Sequence, residues 1–142
     1  MCAWLTRKGG LRVLNVLTMV KITFFEMPRN STSEGCCGFS LVWISENEIL
    51  TAWDLTIYKL RIVKDDSNVT FAEVTQTFTL PEISLNFLSV ASIVGLCSLD
   101  AAGELISVLC TKTNEKNEEI KVVHIIFSSS ALEVRRKKNI LL

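Results

Sequence analysis

Short apolar stretches separated by polar turns dominate the chain beyond its first ten residues. Most stretches last about four to eight residues and are rich in β-branched side chains, which is typical of strands rather than helices. Between Val69 and Leu80, for example, the apolar residues Phe71, Val74 and Phe78 are interleaved with polar ones. The pattern therefore predicts an all-β fold of about ten short strands.

Turn signals divide the chain into these strands. Lys64–Asn68 is a run of turn-forming residues, and Pro81 ends the preceding stretch because proline cannot donate a ladder hydrogen bond. The segment 131–142 fits either a last strand or a short helix, and the pattern leaves both open. The other strand-forming stretches are 12–25, 39–44, 49–52, 57–63, 69–80, 89–99, 104–111 and 120–127.

Three segments repeat an apolar–basic–apolar pattern: 11–16, 57–62 and 120–125. Two longer units, 38–62 and 92–125, each consist of a strand, a turn, a second strand, another turn and a third strand that ends in this pattern. Repetition of one unit is typical of architectures in which each unit buries its apolar face against its neighbours. The repeat points to a binding scaffold rather than to an active site.

These units resemble the blades of the WD-repeat family. Gly38-Phe39 stands where the family usually carries Gly-His, and Asp54 stands at the turn that holds the family's structural aspartate. Leu60-Arg61 and His124-Ile125 lie near the position of the family's Trp-Asp dipeptide, whereas the literal Trp53-Asp54 lies one turn too early. The resemblance implies antiparallel four-stranded meanders arranged as β-propeller blades.

The resemblance divides the chain into about two and a half blades, with a half blade at 11–27, a blade at 38–81 and a blade at 89–142. A closed propeller needs about four to eight blades. Three outcomes stay open. Residues 1–142 are a fragment or truncated isoform of a larger propeller, they complete the propeller of a partner, or they form a single β-sandwich domain.

Charge and hydropathy exclude several classes of partner. Fifteen basic residues balance fifteen acidic ones, so we expect neither a nucleic-acid partner nor a membrane held by net charge. We also expect no membrane span, because no stretch approaches the roughly 18 apolar residues that a spanning helix needs.

Cysteine usage and two sequons point to different compartments. The five cysteines are odd in number and irregularly spaced, which predicts a reduced, intracellular protein (cytoplasm or nucleus) rather than a disulfide framework. Asn30-Ser31-Thr32 and Asn68-Val69-Thr70 match the N-glycosylation pattern. They support the alternative of a secreted or cell-surface β-sandwich recognition domain.

Candidate chemistry is sparse. His124 is the only histidine and lies in an apolar stretch with carboxylates only in the preceding loop, so we expect no catalytic or metal site. We therefore predict a non-enzymatic protein–protein interaction scaffold that has no cofactor and no small-molecule substrate and binds other protein subunits. The candidate partner contacts are Trp53, Lys116 and Glu118, with Asp54 as the structural turn residue.

Overall fold

A computed structural model describes residues 1–6, 10–26, 40–53, 55–80, 90–114, 119–130 and 133–140. These residues are almost entirely β-structure. The strands are β1 Cys2–Leu5, β2 Gly10–Leu14, β3 Lys21–Glu26, β4 Ser40–Trp43, β5 Glu48–Trp53, β6 Thr56–Lys64, β7 Thr70–Thr79, β8 Val90–Ser98, β9 Leu105–Asn114, β10 Glu119–Ser128 and β11 Glu133–Ile140.

The strands form three antiparallel meanders in chain order. The first sheet contains β1–β2–β3, the middle sheet β4–β5–β6–β7 and the third sheet β8–β9–β10–β11, and every strand pairs with its sequence neighbour. The expectation of an all-β fold with antiparallel four-stranded meanders is confirmed. The described strands do not close into a barrel, so a partial propeller and a sandwich both remain compatible with the sheets.

In two regions the observed strands differ from the strand boundaries or alternatives that the sequence predicts. The stretch 12–25 contains two strands, β2 and β3, with a hairpin between them, and Cys2–Leu5 adds a third strand that the pattern does not predict. At the other end of the chain, residues 133–140 form β11, so the strand was the correct alternative for this segment.

The middle sheet packs against the other two sheets with opposite faces. In β5, Leu50 and Ala52 join a core with the third sheet, whereas Ile49 and Trp53 join a core with the first sheet. This alternation follows from the two-residue period of a strand. It explains why β5 is apolar on both faces from Ile49 to Trp53, since strands covered on both sides need no polar face.

Specific contacts connect the middle and third sheets. Phe78 on β7 and Phe127 on β10 meet edge to face, with ring centroids 5.6 Å apart and an interplanar angle of 65°. The turn between β8 and β9 reaches the middle sheet, where Lys59 Nζ donates a hydrogen bond of 2.8 Å to the Ala102 carbonyl oxygen. The two sheets therefore share one continuous apolar core.

Candidate partner-binding surface

Two hairpins from different sheets lie side by side. The β2–β3 hairpin turns through Asn15–Val20 in the first sheet, and the β6–β7 hairpin turns through Asp65–Val69 in the middle sheet. Strands β3 and β7 lie next to each other, which brings the two turns together. An open cleft of about 380 Å³ separates them; it is lined by Asn15, Thr18, Val20, Lys21, Ile22, Asn68 and Thr70.

The tips of these hairpins expose large apolar side chains. Leu17 is 94% exposed and Met19 is 74% exposed, and Val16 and Val20 beside them are more than half exposed. Single exposed apolar residues are ordinary, but a contiguous group marks an interaction site or an aggregation hazard. We define the two-hairpin surface by its exposed apolar residues Val16, Leu17, Met19, Val20, Val69 and Phe71.

Local hydrogen bonds hold the first tip in shape. Asn15 Oδ1 accepts hydrogen bonds from the backbone N–H groups of Leu17 at 2.9 Å and Thr18 at 3.4 Å. Met19 then adopts a left-handed backbone with φ of 57°. This conformation costs a side chain with a Cβ about 1–2 kcal/mol, and glycine adopts it without that penalty. The turn thus presents its apolar side chains on a defined backbone.

The second tip is built in a similar way. Asp65 Oδ1 accepts hydrogen bonds from the N–H groups of Ser67 at 2.9 Å and Val69 at 2.8 Å, and Asn68 has a φ of 62°. Asp65 and Asp66 are exposed here, and Lys21 and Lys64 are exposed at the strand ends beside them. The charges around the cleft are therefore mixed, without the one-sided positive field that nucleic acid requires.

The residues that the sequence predicts as partner contacts or as the structural turn residue either lie away from the two-hairpin surface or lie outside the described residues. Trp53 lies at the end of β5 with 8% exposure and packs in the core shared with the first sheet. Asp54, Lys116 and Glu118 lie outside the described residues. Trp53 is not brought to the two-hairpin surface, and its role as a partner contact stays a prediction.

Sequence reasoning missed this surface because its residues look like part of a strand. Val16, Leu17, Met19 and Val20 continue an apolar, strand-forming run without glycine or proline. The available signal was Asn15, because asparagine side chains bind backbone N–H groups two residues further on and thereby start turns.

The His124 and Glu104 side chains both make hydrogen bonds to serine side chains within the fold. His124 Nε2 and Ser107 Oγ lie 2.7 Å apart on neighbouring strands. Glu104 accepts hydrogen bonds from Ser130 and from Ser128, which lower its pKa to about 2. Among the described residues, no group of three or more His, Cys, Asp or Glu side chains is placed to hold a metal ion. No helix in the described part of the chain is long and apolar enough to cross a membrane.

No protein-family model, no curated protein sequence and no solved structure matches this chain.

Proposed function

We propose that this chain is a non-enzymatic protein-interaction scaffold, a WD-like propeller segment that works with other protein subunits in a larger intracellular complex. The observation that carries the proposal is the two-hairpin surface. Five apolar side chains lie exposed on two neighbouring turns and Phe71 is exposed on the adjoining strand β7, and local hydrogen bonds hold both turns in shape.

Burial of this surface by a partner would release a useful amount of free energy. A Leu or Met side chain that passes from water into an apolar environment gains about 1.5–3 kcal/mol. Leu17 is 94% exposed and Met19 about three-quarters exposed, so each retains most of that gain for a binding partner. Because exposed apolar side chains lie on both tips beside the cleft, the fitting partner presents an apolar surface to them.

The arrangement of the sheets supports the WD-like part of the proposal. Three consecutive meanders stack face to face, and the middle one is covered on both sides by apolar contacts. Blades of a propeller pack on their neighbours in this manner. This support is a likeness of architecture, and the binding function rests on the two-hairpin surface instead.

A charge placed on the first tip tests the proposal. Leu17→Glu should abolish stoichiometric co-purification of partner subunits from the cells that express the protein, because an unpaired carboxylate would be buried in the interface. Leu99→Glu is the matched control, since Leu99 is 51% exposed but lies at the β8–β9 turn. Both variants should unfold at the same temperature as the wild-type protein.

Two results would contradict this function. One is an unchanged set of partner subunits with Leu17→Glu, which would place the binding energy elsewhere. The other is the absence of any stoichiometric protein partner for the wild-type chain in quantitative mass spectrometry of the cross-linked complex.

A secreted or cell-surface β-sandwich domain is the second candidate, and one observation favours it. Asn68 of the sequon Asn68-Val69-Thr70 is exposed in the β6–β7 hairpin, as an N-glycosylation acceptor must be. Intact-mass measurement after eukaryotic expression, with and without reductant, separates the candidates. Attached glycan or disulfide bonds would support secretion, and an unmodified mass would support the intracellular scaffold.

A further inference from the structure

Strand β11 forms one edge of the third sheet. The strand order is β11–β10–β9–β8, so among the described strands β11 pairs with β10 alone. The strand at the opposite edge, β8, lies beside β4 and β5 of the middle sheet. An edge strand has backbone N–H and C=O groups on its outer side, where another strand can form main-chain hydrogen bonds. We define the β11 edge as the side of residues 136–140 that is opposite to β10.

The backbone is regular along the β11 edge. All five residues from 136 to 140 pair with β10 without a register shift. The irregularity of this strand pair comes earlier, between the pairs made by Val134 and Arg136. A bulge twists a strand and interrupts its pairing. Because the bulge precedes residue 136, the β11 edge keeps the regular pairing geometry that an added strand needs.

Basic residues are concentrated in the third sheet, and above all on β11. The four strands of this sheet contain six Lys or Arg residues and two Glu residues, although the whole chain has fifteen residues of each sign. Four of the six basic residues are consecutive at positions 135–138, and Glu133 is the one acidic residue of β11. The overall balance of charge therefore conceals a basic strand at the edge of a sheet.

The neighbouring strands place no acidic residue opposite the basic run. Arg136, Lys137 and Lys138 pair with two isoleucines and one histidine of β10. No residue of β10 that pairs with β11 is Asp or Glu, and the next strand, β9, contains neither. Opposite charges on paired strands stabilise the pair, and like charges destabilise it. The β11 edge is therefore complementary to an acidic strand and repels a second copy of itself.

We infer that an extended acidic segment of a partner protein binds the β11 edge and adds a fifth strand to the third sheet. The edge offers both donors and acceptors of the main chain, which another polypeptide backbone satisfies in full. The phosphate groups of a nucleic acid or a lipid only accept hydrogen bonds. The basic run then selects acidic side chains on that backbone. This binding goes beyond the proposed scaffold function, because it uses a different sheet from the two-hairpin surface.

The alternation of residues along β11 specifies the pattern of the acidic segment. Alternation assigns Arg136 and Lys138 to one face of the sheet and Lys137 to the other. An added strand distributes its residues over both faces in the same way. Consecutive acidic residues therefore match the β11 edge better than acidic residues at every second position do.

The test measures the binding of short fluorescein-labelled peptides to the full chain by fluorescence anisotropy. The first peptide has a central run of glutamates between strand-forming residues, and the second has lysines in place of the glutamates. The third is the glutamate peptide with N-methylated central amides, which keeps the charge and removes the main-chain donors. The wild-type protein should bind the first peptide at least about tenfold more tightly than the second or the third.

Charge reversal on β11 locates the binding site. Arg136→Glu and Lys138→Glu should each weaken binding of the glutamate peptide about tenfold, because an attraction between opposed residues becomes a repulsion. Both variants should also bind the lysine peptide more tightly than the wild-type protein does. Arg12→Glu is the matched control, since Arg12 is an exposed strand residue of the first sheet and its replacement changes the net charge equally. This control should change the affinity by less than about twofold.

The bound glutamate peptide should also slow amide hydrogen exchange in residues 136–140, and circular dichroism identical to the wild-type spectrum confirms that each variant is folded. Failure of the wild-type protein to bind the glutamate peptide at about 1 mM would overturn the inference. So would equal binding of the N-methylated peptide, or displacement of the glutamate peptide by oligothymidine or by phosphatidylserine vesicles that bind more tightly. Leu17→Glu should leave the affinity for the glutamate peptide unchanged, which separates this result from the test of the proposed function.

Discussion

Gly103 is the position where a single methyl group should reveal how the third sheet rests on the middle sheet. It lies in the turn between β8 and β9 with a φ of +67°. A Cβ built there would lie 2.7 Å from Ile44 Cδ1 and 3.4 Å from Lys59 Nζ. Gly103→Ala therefore adds a backbone penalty and a steric clash at the contact between the two sheets.

The size of the effect follows from these two contributions. A left-handed backbone costs an alanine about 1–2 kcal/mol. Overpacking in a buried contact costs about 1–3 kcal/mol, and the end of a flexible isoleucine places this clash at the low end. We expect Gly103→Ala to lower the free energy of unfolding by about 2–3 kcal/mol, which urea denaturation with an unchanged m-value would measure.

Two further variants separate the contributions. Ile44→Val removes the Cδ1 atom that the new methyl group meets. The free energy of unfolding of the double variant should therefore be about 1 kcal/mol higher than the sum of the two single effects predicts. Gly95→Ala is the comparison within a strand: its Cβ would lie 3.2 Å from Leu109 Cβ without a positive φ, so the change should stay within about 1 kcal/mol. Additive effects of Gly103→Ala and Ile44→Val would refute the contact between this turn and the middle sheet.

Two other predictions concern the third sheet. Phe127→Ala should lower the free energy of unfolding by about 3–5 kcal/mol, because the ring is fully buried against Phe78. Phe71→Ala, on the exposed side of β7, should change the same free energy by less than about 0.5 kcal/mol. Equal losses for the two variants in urea denaturation would contradict this core. Glu104 has a pKa lowered from 4.5 to about 2 by its serine hydrogen bonds, so its contribution to stability is present above pH 4.5 and is lost as the pH falls toward 2. Glu104→Gln should flatten the dependence of unfolding free energy on pH across that window, and an unchanged slope would show that these hydrogen bonds do not form in solution.

Much of the fold is predictable from the local pattern of residues. Strand-length apolar runs and turn signals such as Lys64–Asn68 act over a few residues, so they identify most strands and their meander order. The hairpin at Asn15–Val20 escapes the same reasoning, because its apolar residues favour a strand and only the Asn15 side chain signals the turn. The strand Cys2–Leu5 is equally hidden, since it needs β2 as a partner to form at all.

The candidate surfaces depend on contacts between residues far apart in the chain. Alternation shows that β5 and β10 are apolar on both faces, but it does not identify what covers each face. Packing of the sheets buries Trp53 against the first sheet and leaves Leu17 in solvent, although both residues are large and apolar. Sequence pattern thus specifies strands, turns and their order, because these are local properties. Which apolar residues become core and which become surface follows from the stacking of whole sheets, because burial is a property of neighbours that the chain brings together only when it folds.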